Sequence, residues 1–129
     1  MKKICINSRD ELVIIDLDAV ACIKAAGNYS TFVYADGREL TLTVGLARIE
    51  DIIAAYFDAR AASSGFVRLG RSCIINSSML SKIDMLRCQL TLSAGSGKEQ
   101  RLAVPKKILR QYKDLVDAQF ERLKQSPQS

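Results

Sequence analysis

The sequence contains no histidine, and this absence excludes several classes of enzyme. Without histidine there can be no Ser-His-Asp or Cys-His pair and no imidazole ligand for a metal ion. The four cysteines, at positions 5, 22, 73 and 88, include no C-x-x-C pair, and neither a P-loop nor a G-x-G-x-x-G stretch is present. The neighbouring acids Asp16/Asp18 and Glu50/Asp51 are interpreted as turn and helix-surface residues. We therefore expect no enzyme activity, no metal and no cofactor.

Long hydrophobic runs are also missing. No apolar stretch approaches the ~20 residues of a membrane-spanning helix, and polar residues interrupt the N-terminal segment where a signal peptide would need an apolar core. The scattered cysteines are mostly flanked by Ile, Ala or Leu, which is typical of reduced thiols in a protein core. A disulfide is the less favoured alternative. The sequence therefore predicts a cytoplasmic protein with no membrane partner.

Acidic residues are scarce in the second half of the chain. Residues 1–60 carry seven Lys/Arg against nine Asp/Glu, whereas residues 61–129 carry twelve against five. The excess is densest from Arg68 to Lys113, where ten basic residues stand against Asp84 and Glu99 alone. A one-sided basic field attracts polyanions, so nucleic acid or an anionic membrane is the natural partner class. The alternative is a basic surface that serves solubility only.

The chain, at 129 residues and 48% hydrophobic, suffices for one domain with a proper core. Alternating and β-branched segments predict eight to ten short strands, which should form antiparallel hairpins because they neighbour one another in sequence. Apolar residues at helical spacing predict one helix from Leu46, ended by residues 63–65, and a second from Pro105 to about Leu123. Residues 125–129 are expected to form a frayed tail.

Three shorter stretches carry local predictions. The unbroken apolar run at residues 12–15 is compatible with a strand that is buried on both faces. Asp36-Gly37 between two β-rich segments predicts a tight hairpin. Alternating apolar and polar residues at 85–92 predict one continuous strand.

The most informative stretch runs from residue 66 to residue 76. Apolar residues at both ends predict two strands, while Arg68, Arg71 and Ser72 between them do not belong in a core. Arginine suits bidentate contact with a phosphate or with a guanine edge. The stretch therefore predicts a stiff scaffold that presents a basic loop. The alternative for each arginine is an ion pair with a carboxylate such as Glu50 or Asp84.

A second candidate lies between two predicted strands at residues 26–30. Glycine and asparagine tolerate left-handed backbone, so this segment predicts a loop. Asn28, Tyr29 and Ser30 would place an amide, a phenol and a hydroxyl at its tip. The loop is interpreted either as an ordinary polar turn or as a loop whose tip forms hydrogen bonds with a ligand.

A third candidate lies at the start of the terminal helix. Lys106 and Lys107 follow Pro105, so both cations oppose the positive end of the helix dipole. They are either tolerated on an exposed face or serve an external anion.

Together these segments resemble the LytTR family, the DNA-binding output domain of many bacterial response regulators. The resemblance implies an elongated, mainly β fold of about ten strands in stacked antiparallel sheets, with one short mid-chain helix and a C-terminal helix. We expect the domain to cover residues 1–112, with the helix at 105–124 as its extension. The matching segments, in the family's order and spacing from about residue 4 to residue 112, are 18–30, 36–37, 46–50, 66–76 and 102–107.

The resemblance also implies a function and a partner. Members of this family regulate transcription by binding double-stranded DNA, which they read in successive major grooves through loops rather than through a recognition helix. A dimer on paired sites is expected. Arg68 would contact a phosphate, with Ser72 beside it in the same loop. The base-contacting positions of the family correspond to Asn28, Tyr29 and Ser30, to Arg71, and to Lys107 with Lys106 beside it.

The sequence departs from the family pattern at three places. Gly70 stands where histidine is usual, Pro105-Lys106-Lys107 replaces Ser-Arg-Arg, and the terminal helix is longer than the family's usual ending. No receiver domain precedes the module, so we expect no phosphorylation input on this chain. These departures leave an alternative function open. The domain would then bind another regulator protein and modulate it, and would not bind DNA.

Overall fold

The structure is a computed structural model that describes residues 2–95 and 98–124. Within these residues ten strands form three antiparallel sheets of two, five and three strands. The predicted tail at 125–129 lies outside the described residues. The strands are β1 (Lys3–Asn7), β2 (Leu12–Asp16), β3 (Val20–Ala26), β4 (Tyr29–Tyr34), β5 (Glu39–Leu42), β6 (Phe66–Leu69), β7 (Cys73–Asn76), β8 (Leu80–Asp84), β9 (Gln89–Ser93) and β10 (Glu99–Ala103), and the helices are α1 (Leu46–Asp58) and α2 (Lys106–Lys124).

The five-stranded sheet forms the middle layer, with the strand order β5-β4-β3-β7-β6. Successive side chains of a strand point to opposite faces, so each of its strands contributes to two cores. On one face Ile23, Phe32 and Ile74 belong to a core shared with α1 and the β1–β2 ribbon. On the other face Cys22 and Ile75 belong to a core shared with α2 and the sheet of β8, β9 and β10. The mainly β fold of stacked antiparallel sheets with two helices, expected from the sequence, is confirmed.

The strand prediction for residues 12–15 is right in type and wrong in burial. Leu12 and Ile14 are 58% and 55% exposed, because only one face of the β1–β2 ribbon meets the core. Ile15 on the opposite face is fully buried. The alternation of a half-buried strand therefore applies to β2 although its residues are uniformly apolar.

Two predicted boundaries are also wrong. Residues 85–92 do not form one strand: the chain turns after β8, and β9 begins only at Gln89. The turn is favoured locally because the Asp84 carboxylate accepts hydrogen bonds from the backbone and the side chain of Arg87, at 3.1 Å each. Helix α1 ends at Asp58 instead of at residues 63–65. The hairpin predicted at Asp36-Gly37 is confirmed by the β4–β5 pairing.

The cysteines are all free. Cys22 and Cys73 are buried, and burial raises the pKa of each thiol to about 11. Cys5 is exposed on β1, so the expectation of core thiols is wrong for this residue. In the described ranges no group of three or more His, Cys, Asp or Glu residues could hold a metal ion. Neither helix of that part of the chain is long and apolar enough to cross a bilayer.

Asn76 connects the end of β7 to the start of β3. Its amide donates to the carbonyl of Val20 at 3.0 Å. Its side-chain oxygen accepts hydrogen bonds from the backbone N–H and the hydroxyl of Ser78, at 3.1 and 2.7 Å, and so caps the single 3-10 turn that follows β7. The side chain is 5% exposed, so water cannot replace these partners easily.

We expect Asn76→Ala to lower the free energy of unfolding by about 1–3 kcal/mol, because it leaves buried polar groups without partners. Urea denaturation of the variant and the wild type measures the difference. Asn7→Ala is the control, since Asn7 is exposed on a strand, and it should change stability by less than about 0.5 kcal/mol. An equal loss in both variants would contradict the role of Asn76.

Candidate nucleic-acid interface

One end of the five-stranded sheet brings together the three places that the sequence singled out. These are the β3–β4 turn, the loop of residues 70–72 between β6 and β7, and the first turn of α2. The backbone N–H of Ala25 donates to the carbonyl of Ser72 at 2.8 Å, which joins the turn to the loop. Gly70 lies against Ile108 of α2, since a Cβ at Gly70 would lie 2.5 Å from the Ile108 Cδ1 atom. The loop of residues 70–72, called the central loop below, therefore lies between the other two.

The β3–β4 connection is a two-residue turn. Ala26 pairs with Tyr29, which leaves only Gly27 and Asn28 between the strands. Gly27 has a φ of +63°, a conformation that glycine adopts without steric cost. The loop is thus shorter than the predicted 26–30, because Tyr29 already belongs to β4. Asn28 is exposed at the tip, and Tyr29 beside it is 51% exposed.

Ser30 is not available for an external ligand. It is fully buried, and its hydroxyl donates to the carbonyl of Val44 at 2.6 Å. This bond ties β4 to the segment that leads into α1. The sequence prediction that Ser30 contacts a ligand is therefore corrected: the side chain supports the scaffold.

The central loop presents two exposed polar residues. Leu69 and Cys73 pair across it, so Gly70, Arg71 and Ser72 form the whole connection. Arg71 and Ser72 are exposed. Among the described residues Arg71 has no ion-pair partner, in contrast to the alternative considered from the sequence. Its guanidinium group is thus free to meet an external anion or hydrogen-bond acceptor.

Arg68 holds the central loop from inside. Its Nη1 atom donates to the Glu50 carboxylate at 2.8 Å, and its Nε atom donates to the carbonyl of Gly70 at 2.8 Å. The side chain is only 26% exposed. The ion pair that the sequence allowed as an alternative is present for Arg68. These bonds give Arg68 a supporting role within the protein, and its expected contact with a phosphate stays a prediction.

The first turn of α2 adds two cations to this end. Lys106 and Lys107 are exposed, and the turn contains no acidic residue. The N–H of Leu109 donates to the carbonyl of Pro105 at 2.9 Å, which begins the helical hydrogen bonding. Unpaired N–H groups and the helix dipole make such an end favourable for an anion. The two lysines add to the same field.

Sequence reasoning overlooked Lys24. Lys24 lies on β3, where it pairs with Thr31 of β4 and with Cys73 of β7. Its side chain is on the same face of β3 as that of Cys22, but it is exposed. Burial raises the pKa of the Cys73 thiol, while Arg68 and Lys24 lower it electrostatically, so Lys24 lies close to the base of the central loop. One charged residue in the otherwise apolar run of β3 was the available signal. The basic end, as we call this surface, comprises Lys24, Asn28, Tyr29, Arg71, Ser72, Lys106 and Lys107.

Comparisons with known proteins agree with this architecture. A family model described as "LytTr DNA-binding domain" matches residues 10–117. Among solved structures, the LytTr DNA-binding domain of a methyl-accepting/DNA response regulator from Bacillus cereus is similar, with a TM-score of 0.55 and 15% sequence identity. The alignment covers 90% of this chain and 97% of that one, and at this identity the likeness concerns the fold. No curated protein matches the sequence.

The support from Arg68 can be measured with a double-mutant cycle of Glu50→Gln and Arg68→Met. We expect a coupling free energy of about 0.5–1 kcal/mol in urea denaturation, because both side chains are partly exposed and solvent screens the pair. Asp51→Asn on the exposed side of the same helix is the control and should show no coupling to Arg68→Met. A coupling of zero for the Glu50 pair would contradict the supporting role.

Proposed function

Since the chain belongs to the LytTr DNA-binding domain family, we propose that it is a transcription regulator that binds double-stranded DNA in a sequence-specific way. This is a family of DNA-binding domains of response regulators and not of enzymes. The observation that carries the proposal is the basic end. Here Arg71, which has no ion-pair partner among the described residues, lies in a loop next to an exposed polar turn and a helix start that bears two lysines. The cytoplasmic location expected from the sequence follows from DNA as the ligand.

Each group at the basic end receives a role that suits its chemistry. Arg71 can donate two parallel hydrogen bonds to the O6 and N7 atoms of a guanine or to a phosphate. Asn28 and Tyr29 can hydrogen-bond to a base edge or to the backbone. Lys106 and Lys107 act as point charges on phosphates or base acceptors, since lysine lacks the planar fork of arginine.

Lys24 and Ser72 complete the contact surface beside the central loop. A lysine ammonium group and a serine hydroxyl are common partners of phosphate oxygens, which fix the register of a protein on DNA. We assign both to the DNA backbone, and we leave out Ser30 because its buried hydroxyl already bonds inside the protein. Arg68 bonds to Glu50 and Gly70 through two of its N–H groups, and the others can still reach a phosphate. The division leaves base reading to Asn28, Tyr29, Arg71 and the lysine pair.

The order of the three places suits an elongated ligand. The central loop contacts both the strand that leads into the Asn28 turn and the helix that carries the lysines. We propose that the places read successive major grooves, which recur about every 34 Å along a duplex. A dimer on paired sites would double this footprint.

A second candidate function rests on the far half of α2. Leu115 and Phe120 are large apolar side chains of this helix, and they are 53% and 61% exposed to solvent. Exposed apolar side chains are available for contact with another protein. A protein-interaction module would use such a surface to pair with another regulator, without DNA. Apolar contacts survive high salt, so a complex that persists at about 1 M salt, where charges are screened within ~3 Å, would favour this candidate.

Selection from a random duplex pool tests base reading. We expect the wild type to enrich a pair of short motifs about ten base pairs apart, one helical turn. Arg71→Ala should weaken binding to the enriched duplex by about 5–150-fold, the range for one bidentate base contact. Arg38→Ala is the matched control, because Arg38 is exposed at the opposite end of β4 and bonds to Asp36. Equal losses for both arginines would mean that only net charge matters.

Salt titration tests the phosphate contacts. Lys24→Ala should reduce the slope of log affinity against log salt by about one, similarly for any duplex sequence, because one released counterion is lost. Fluorescence anisotropy with a labelled duplex measures the slope. Failure of the wild type to bind any duplex at about 50 mM salt would sink the proposal, since phosphate attraction is strongest there.

A further inference from the structure

We infer that Gly70 is a positioning residue: its lack of a side chain lets the first turn of α2 rest on the central loop, so that Arg71 and the lysine pair bind DNA as one unit. The inference rests on the proposed function, because the unit matters only if both parts meet the same duplex. It assigns no contact with DNA to Gly70 itself.

The contact is too close to admit a larger residue. A Cβ at Gly70 would lie 2.5 Å from the Cδ1 atom and 3.7 Å from the Cγ1 atom of Ile108. A carbon–carbon contact needs about 3.5–4.0 Å. Glycine is also suited to this position by its φ of +63°. Two independent constraints, space and backbone conformation, therefore select glycine here.

Hydrogen bonds oppose a movement of the central loop away from α2. The Nε atom of Arg68 holds the carbonyl of Gly70 at 2.8 Å, and the N–H of Ala25 holds the carbonyl of Ser72 at 2.8 Å. Both ends of the loop continue into paired strands, where Leu69 opposes Cys73. We therefore expect the displacement caused by a larger residue to fall mainly on Ile108.

Ile108 can yield in two ways, at its terminal Cδ1 atom or through its backbone. A β-branched side chain in a helix strongly prefers one χ1 rotamer, so relief comes from turning χ2 or from shifting the first helical turn. Leu109 and Tyr112 are buried and anchor the next turn in the core. A shift of the backbone, in contrast to a rotation about χ2, would therefore tilt the first turn alone, and that turn carries Lys106 and Lys107.

The test uses Gly70→Ala, Ile108→Val and the double variant in the full chain. Ile108→Val deletes the Cδ1 atom that a Cβ at position 70 would meet. The control is Gly95→Ala, because Gly95 also has a positive φ, +80°, but an added Cβ there meets none of the described residues within 4 Å. All variants are compared with the wild type on the duplex enriched from the random pool, or on a random-sequence duplex if none is enriched.

We expect Gly70→Ala to weaken binding about tenfold, because the displaced lysines move away from the phosphates or base acceptors that they contact. The double variant should return to within about twofold of Ile108→Val, since the two substitutions act on one contact. Gly95→Ala should bind like the wild type. Wild-type affinity for Gly70→Ala, or no recovery in the double variant, would overturn the inference.

Hydrogen exchange of the Leu109 amide gives a readout that needs no DNA. This amide makes the first hydrogen bond of α2, to Pro105, so it reports whether the first turn is in place. We expect faster exchange in Gly70→Ala, recovery in the double variant and no change in Gly95→Ala. Unchanged exchange in Gly70→Ala would overturn the positioning of α2 by Gly70.

The two readouts separate failure of the inference from failure of the proposed function. If the wild type binds no duplex, the proposed function fails, and the exchange of the Leu109 amide alone decides whether Gly70 positions α2. If the wild type binds DNA and only the exchange changes in Gly70→Ala, the joint role in DNA binding is overturned.

Discussion

The confinement of β3 is the constraint on which the rest of the structure depends. This strand hydrogen-bonds to β4 on one side and to β7 on the other, and the cores on both faces of the sheet include its side chains. It cannot shift without disrupting two ladders and two cores at once. Its last residues carry the Gly27-Asn28 turn and the bond from Ala25 to the central loop. The polar tips therefore inherit the rigidity of a strand that is paired along both edges and buried on both faces.

The polar residues near the basic end divide into those that support and those that are presented. Ser30 and Arg68 look like ligand contacts in the sequence, yet their hydrogen bonds go to Val44, Glu50 and Gly70 within the protein. Arg71 has no such ion pair among the described residues and is exposed. A preorganised site needs both kinds, because supporting bonds hold the presented groups in a productive geometry.

Local patterns in the sequence were sufficient for most elements, because strands, hairpins and helices reflect spacing within a few residues. The hairpin at Asp36-Gly37 and the amphipathic α1 follow from such patterns. Burial was harder, because the exposure of Leu12 and Ile14 depends on which face of the ribbon meets α1. The supporting roles of Ser30 and Arg68 depend on hydrogen-bond partners that are 14 and 18 residues away in the sequence, and no local pattern specifies such partners. The role of Lys24 similarly appears only once β3 and β7 are paired.

The shortness of the connections at the basic end has a thermodynamic consequence. The polar groups stand on a two-residue turn, a three-residue loop and a helix start, so few backbone torsions are left to freeze when a ligand binds. Fixing one residue's backbone costs about 1–2 kcal/mol in conformational entropy, and long recognition loops that order on binding incur this cost many times over. Calorimetry of association should therefore resemble the docking of two preformed bodies, with a heat-capacity change that the buried surface alone accounts for.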